Sequence, residues 1–457
     1  MFDIVVVLVA LGLLMYLAYR GFSLLLLAPA TALLAAVLTG GLPILAAYTK
    51  IFMTNTGQFI ISFFPLFMLG AIFGKLMDDT GSAKSLARSV SAWLGPRRAI
   101  LSVVLCCAVL TYGGVSAFVV AFAIFPAAAA LFHAADIPKR LIPGALALGA
   151  FSFTMSAVPG SPAIQNAIPM PFFGTTAFAA PGLGMVASLL MFLLGIAWLN
   201  RRAAKARTTG EGYGEHSDSL PKCDVVMREH AQSRGFDIAE LTERPAANEN
   251  LPSFALALLP VIVVIVTNFA FINLITPLMD TSYLAEPLFG ETTIESVRGV
   301  WAVIVALFLA SLVLIAGNWR RLADLRASLD KGADASVLPI FNTASLVGFG
   351  AVIAALPVFE RISDAVMSIG GGNALVTVAA SVTILSAITG SASGGMTIAL
   401  DALGPALVEL AVATGVPLEA MHRVTALASG ALDVMPHNGA VITLLAVCQL
   451  SHREAYG

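Results

Sequence analysis

The residues best able to do chemistry in this chain fall into two matched sets, each pairing a glycine-rich, hydroxyl-bearing turn with a downstream run of small polar residues. In the first half, LCCAVLTYGGVSAFVVAFAIFPAAAALF carries Thr111, Gly113, Gly114 and Ser116, and GALALGAFSFTMSAVPGSPAIQNAIP carries Ser161, Gln165 and Asn166. In the second, ILSAITGSASGGMTIALDALGPALVEL carries Thr389, Ser391, Ser393, Gly394 and Gly395, and TALASGALDVMPHNGAVITLL carries Asp433, His437 and Asn438. A turn inside an apolar run frees backbone groups that hydrocarbon cannot solvate, so it is tolerated only where it lines a cavity. Open N–H groups and the helix dipole at the start of each returning arm, placed near Ser116 and Met396, favour an anion such as a carboxylate. Glycine permits close approach and a positive φ. Hydroxyls at Thr111, Ser116, Thr389, Ser391 and Ser393 complete such a shell. In this reading a carboxylate bridges the two turns while Asn166 and Asn438 read a neighbouring hydroxyl. The competing reading is that Gly and Ser only let helices pack closely; its weakness is that the motif occurs twice.

Ionisable groups offer a different chemistry. Asp433 and His437 are four residues apart, nominally on one helix face, although Pro436 between them breaks that geometry. An intramembrane acid is costly and a histidine titrates near neutrality, so the pair is expected to carry a coupling proton, with Asp401 as a further candidate. The bland alternatives are a capping carboxylate for Asp433, a packing histidine for His437 and an outer-vestibule position for Asp401. No Lys or Arg is read near either break, which disfavours a dicarboxylate. GSASGG also admits Ser393 as a nucleophile with His422 or His437 as its base, the signature of an intramembrane protease. The matching run of the first half has no histidine, which counts against it. No metal site, cofactor or disulfide framework is implied by Cys106, Cys107, Cys223 and Cys448.

What must position these groups is a membrane-embedded helical scaffold. The chain has 457 residues, 58% hydrophobic and 11% charged, with a mean hydropathy of +0.90. Soluble domains carry about 25% charged residues, so composition excludes a soluble globule and makes the bilayer the surrounding medium; the net charge of −2 says nothing about partners, and no nucleic-acid partner is expected. Apolar spans are read at 4–19, 22–38, 58–77, 181–199, 253–275, 299–315 and 336–355, with no cleaved signal peptide. Gly81 to Leu94 has helical apolar spacing with basic residues opposite, the pattern of an interfacial arm.

The two motif copies keep step. Pro126 and Pro405 are 279 residues apart, and so are Pro138 and Pro417. Basic clusters at Arg20, 75–98, 139–140, 201–207 and 320–326 can all be cytoplasmic, which makes the first hairpin re-entrant from inside and the second re-entrant from outside. The expected fold is an all-α polytopic membrane protein with an inverted repeat, two re-entrant hairpins and two broken transmembrane helices. The repeats are drawn at 1–200 (hairpin 99–135, broken helix 140–180) and 251–457 (hairpin 373–413, broken helix 419–450). A cytoplasmic linker occupies 201–250, with exposed His216 and His230. Adding the offset to the span at 181–199 places its counterpart beyond Gly457, so a final helix is expected to be absent.

The strings GGVSAFVVAFAIFPAAAALF, IPKRLIPGALALGAFSFTMSAVPGSPAIQNAIPMPFFGTTAFAAPGLG and ALASGALDVMPHNGAVITLL resemble the gluconate permease family of the ion transporter superfamily, and within it the hydroxybutyrate permease branch. The resemblance covers nearly the whole chain outside the central linker. It implies proton-coupled uptake of a small hydroxy-monocarboxylate through a bacterial inner membrane by a homodimer with scaffold and transport domains. Gluconate transporters carry a different apolar string after the first hairpin glycines, which points to a shorter acid such as 3-hydroxybutyrate. Sodium-coupled relatives carry Ser-Asn-Thr at each tip, where this chain has TYGGVS and TGSASGG. A dicarboxylate or citrate carrier and a sodium/proton antiporter are the alternatives of similar architecture.

Overall fold

The computed structural model describes residues 2–20, 22–216, 250–432, 434–436 and 438–456. Asp433, His437, His230 and Cys223, and most of the expected linker, therefore lie outside the described residues. Among those described, all regular structure is helical. Six helices among the described residues are long and apolar enough to cross a membrane.

In the first half, α1 (Phe2–Tyr19) and α2 (Leu24–Thr39) precede a long apolar helix, α3 (Ile44–Asp79). An amphipathic helix α4 (Ser82–Leu94) follows, then hairpin arms α5 (Ala99–Tyr112) and α6 (Ala117–Ala134), a broken stretch beginning with α7 (Ile142–Ala150), and α8 (Pro181–Thr208). The second half runs through α9 (Phe254–Leu278), α10 (Ile294–Asn318), long α11 (Leu325–Ala354), amphipathic α12 (Phe359–Ile369) and hairpin arms α13 (Ala374–Thr389) and α14 (Ala392–Thr414). It ends in a broken pair, α15 (Leu418–Ser429) and α16 (Gly439–Cys448). The order of elements thus recurs. Helix α8 continues eight residues into the stretch read as linker, because Arg201, Arg202, Lys205 and Arg207 are good helix formers.

The hairpin arms of the second half start 275 residues after their counterparts, Ala374 against Ala99 and Ala392 against Ala117. Matched prolines gave 279 because Pro405 sits one helical turn further into its arm than Pro126.

The pair α3 and α11 makes the most extensive helix contact among the described residues. Two glycines on α11 permit the close approach. A Cβ at Gly332 would come within 2.7 Å of the Ile72 backbone, and one at Gly348 within 2.9 Å of the Phe52 carbonyl. As α11 advances from 332 to 348, its contacts on α3 retreat from 72 to 52, so the helices that precede the two hairpins run antiparallel. Antiparallel partners at matched positions are what an inverted repeat requires. The same packing brings the Lys75 end of α3 to the Arg326 end of α11, where the Ser328 hydroxyl donates to Asp79 Oδ2 at 2.7 Å. Two basic clusters assigned to one side of the membrane therefore share one end of the molecule.

The amphipathic arm α4 is bent 101° from the segment leading into α5. It buries Ala83, Leu86, Ala87 and Val90 and lays Trp93 edge-on to Phe254, ring centroids 4.6 Å apart. Near the end of the first hairpin, Arg140 clamps Glu211 with two hydrogen bonds of 2.5 and 2.8 Å, which holds that carboxyl below its ordinary range.

The broken stretches cross between the hairpins. Ala440, Leu444, Val447 and Cys448 of α16 pack into the core around the first hairpin, while Ile168 and Phe173 of the first broken stretch pack into the core around the second. Each hairpin is thus held partly by the other half's broken helix.

Candidate functional site

Both hairpin tips open onto one cavity of about 300 Å³, bounded by α1, α2, α3, α11 and the two broken stretches. Tip one is the four-residue turn 113–116, with Gly114 at φ +95°, a conformation glycine adopts without strain. Tip two is shorter than the sequence reading had it. Only Gly390 and Ser391 lie outside helix, with Gly390 at φ +60°. The returning arm therefore starts at Ala392 and not near Met396, which is wholly buried inside it.

Thr111, Gly114, Ser116 and Gln165 from the first half line the cavity together with Thr389, Gly390, Ser391 and Ser393 from the second. Gly113, Gly394, Gly395, Asn166 and Asn438 do not. The three glycines serve packing. A Cβ would meet Val261 Cγ2 at 2.6 Å from Gly113, Leu346 Cδ1 at 2.5 Å from Gly394, and the facing backbone of Ser386 from Gly395. Asn438 is buried at the N-cap of α16, where its Oδ1 accepts from the Ala440 amide at 2.7 Å, and it is Ala440 that reaches the cavity.

Asn166 is engaged elsewhere, by a network that the sequence reading missed. Its Nδ2 donates to the carbonyls of Ser161 (2.8 Å) and Ala177 (3.0 Å), and its Oδ1 accepts from Arg423 Nη1 (2.9 Å) and pairs with His422 Nε2 (3.1 Å). His422 Nδ1 lies 2.6 Å from the Thr175 hydroxyl. These partners define one tautomer, with Nε2 donating to Asn166 and Nδ1 accepting from Thr175. Both ring nitrogens are then occupied, so His422 is not placed to activate Ser393.

Arg423 is fully buried and donates to the carbonyls of Ser156, Ala177 and Ala179 as well. This corrects the statement that no cation lies near either break. The broken stretch exposes carbonyls at membrane depth, and side chains from elsewhere in the fold answer them. Tyr112 does the same for the Pro159 carbonyl at 2.8 Å. "HR" within EAMHRVTALAS reads as a polar helix end, and nothing in the string reveals a partner more than 240 residues away.

The polar side chains facing the cavity among the described residues are uncharged. No Asp, Glu, Lys, Arg or His among the described residues lines it. The tips differ in how their hydroxyls are used. Ser391 caps α14 by accepting from the Gly394 amide at 3.2 Å, and the Thr389 hydroxyl donates to the Leu385 carbonyl at 2.8 Å. Ser116 makes no capping bond to α6, and Thr111 Oγ1 is buried without a hydrogen-bond partner among the described residues. The first amides of α6 thus open at the cavity, the arrangement that favours an anion.

Asp401 stands on α14 outside the cavity. Its Oδ2 is buried and has no hydrogen-bond partner among the described residues. Ionised, such an oxygen at membrane depth needs a cation beside it.

Antiparallel matched helices, paired hairpins and a cavity at their tips define a multi-pass membrane transporter. The chain belongs to the Na+/H+ antiporter family, which its residues 152–436 match. It is also similar to a protein of Bacillus subtilis (strain 168) described as an uncharacterized transporter, YxjC, with 43% identity over 461 residues, covering 99% of this chain and 94% of that protein. Both matches establish a transporter, and neither singles out a gluconate permease within that class.

Proposed function

We propose that this protein is a secondary active transporter that takes a small hydroxy-monocarboxylate, of the size of 3-hydroxybutyrate or gluconate, across a bacterial inner membrane with a coupling proton. The observation that carries the reading is the cavity between the hairpin tips. About 300 Å³ matches the lower end of small-molecule sites and far exceeds a bare cation. Its hydroxyl and amide lining suits a hydroxylated ligand. Its open α6 N-terminus, and the lack of cationic side chains among the described residues that line it, suit a monocarboxylate better than a dianion such as succinate.

Coupling in this proposal falls to Asp401 among the described residues, with Asp433 and His437 as the further pair read from the sequence. A proton on Asp401 would neutralise the carboxylate while the loaded domain crosses. The second reading, sodium/proton exchange, is the one the family membership favours directly, and the unpartnered Asp401 oxygen serves it equally well.

The two readings part in proteoliposomes carrying purified protein. Proton-coupled uptake predicts that an inward proton gradient drives accumulation of labelled 3-hydroxybutyrate, that a sodium gradient does not, and that succinate fails to compete. Exchange predicts the reverse pattern: sodium addition moves protons with no organic acid present, and neither gradient accumulates the acid.

A further inference from the structure

We infer that Asn342, on α11, reads the substrate's hydroxyl. This rests on the reading that the cavity holds an organic hydroxy acid, and it replaces Asn166 and Asn438, which the fold commits elsewhere. Asn342 is 6% exposed and lines the cavity, and its Oδ1 is buried with no hydrogen-bond partner among the described residues. A buried amide oxygen without a donor is costly, and a ligand O–H removes that cost.

A second acceptor lies on the same helix. Pro339 has no N–H, so the carbonyl of Ala335 loses its regular helical partner, and both residues line the cavity. The α11 wall therefore presents oxygens that want a donor. Across the same cavity, tip one presents the open amides of α6, which want an acceptor. A carboxylate can serve the second wall and not the first; a hydroxyl proton serves the first. A hydroxy acid satisfies both, with its carboxylate at α6 and its hydroxyl donating to Asn342. The deoxy acid of the same length leaves Asn342 unpartnered. Discrimination against that analogue is then built into the site, as it is wherever a buried group is placed to bond a substrate hydroxyl.

The test is the ratio of apparent affinities for 3-hydroxybutyrate and butyrate, measured by competition against labelled 3-hydroxybutyrate in counterflow. Wild type is expected to prefer the hydroxy acid by about ten- to a hundredfold, the range set by leaving one buried acceptor unbonded. Asn342→Ala should bring the ratio close to one, chiefly by weakening the hydroxy acid, while butyrate still competes. Asn342→Ser, smaller and still polar, guards against misfolding and should also narrow the ratio. A loss of thermal stability alone would leave the ratio unmoved, which separates recognition from a structural role. An unchanged ratio in either folded variant overturns the assignment. Equal competition by both acids on wild type overturns it as well, with the proposed function intact. Wild type that transports neither acid removes the proposed function together with it.

Discussion

Replacing Arg423 by methionine should cost this protein about 3–5 kcal/mol of stability, and transport with it. The sign is not obvious in advance, since exchanging a buried ion pair for apolar side chains is often harmless. Here the partners are not charges that could be removed together. They are the backbone carbonyls of Ser156, Ala177 and Ala179 and the Oδ1 of Asn166. Methionine has similar length but leaves the Ser156 and Ala179 carbonyls without their Arg423 donors, while Ala177 keeps the Asn166 amide and Asn166 Oδ1 keeps His422; each orphaned acceptor costs about 1–3 kcal/mol. Lysine should recover little, because one ammonium cannot reach acceptors spread around a planar guanidinium. Thermal unfolding in detergent reads the effect. Arg423→Met unfolding within a degree or two of wild type would mean that the clasp between the two broken stretches is not what fixes them.

Asp401→Asn should separate coupling from binding. The carboxylate lies outside the cavity, so if Asp401 carries the coupling proton as proposed, a neutral isostere removes that proton without altering the cavity lining. Gradient-driven accumulation of 3-hydroxybutyrate is expected to fall at least tenfold, while counterflow, which needs no net proton movement, stays within about threefold of wild type. Such a split would not follow from misfolding, which lowers both. Accumulation at wild-type level in Asp401→Asn would move coupling to Asp433 and His437.

The sequence made the hairpins and breaks legible because glycine and proline act locally. Gly113 and Gly114 between apolar runs, and Pro159 and Pro162 close together, do interrupt helix. The long-range partners were not legible. Gly394 and Gly395 look like turn residues and are helical, because their missing side chains admit Leu346 and the Ser386 backbone from neighbouring helices. Asn166 and Asn438 look like ligand readers, and only the fold shows their amides turned to Arg423 and to the α16 cap. Asn342 was passed over for the opposite reason. FNTASLV lies in an unbroken helical run, and its exposure to the cavity follows from the antiparallel packing of α11 on α3. One signal was available in the string: Pro339, matched in the first half by Pro65, marks both long helices at equivalent depth.

The central claim is that both hairpin tips face one substrate. It is tested most directly by protection of cysteines placed at each tip, Ser116→Cys and Ser393→Cys, in protein whose Cys223 has been replaced and whose Cys106, Cys107 and Cys448 are buried. Saturating 3-hydroxybutyrate is expected to slow thiol labelling at both positions severalfold, with no such slowing by succinate. Slowing at one tip alone, or at neither, would contradict a site shared between the two halves.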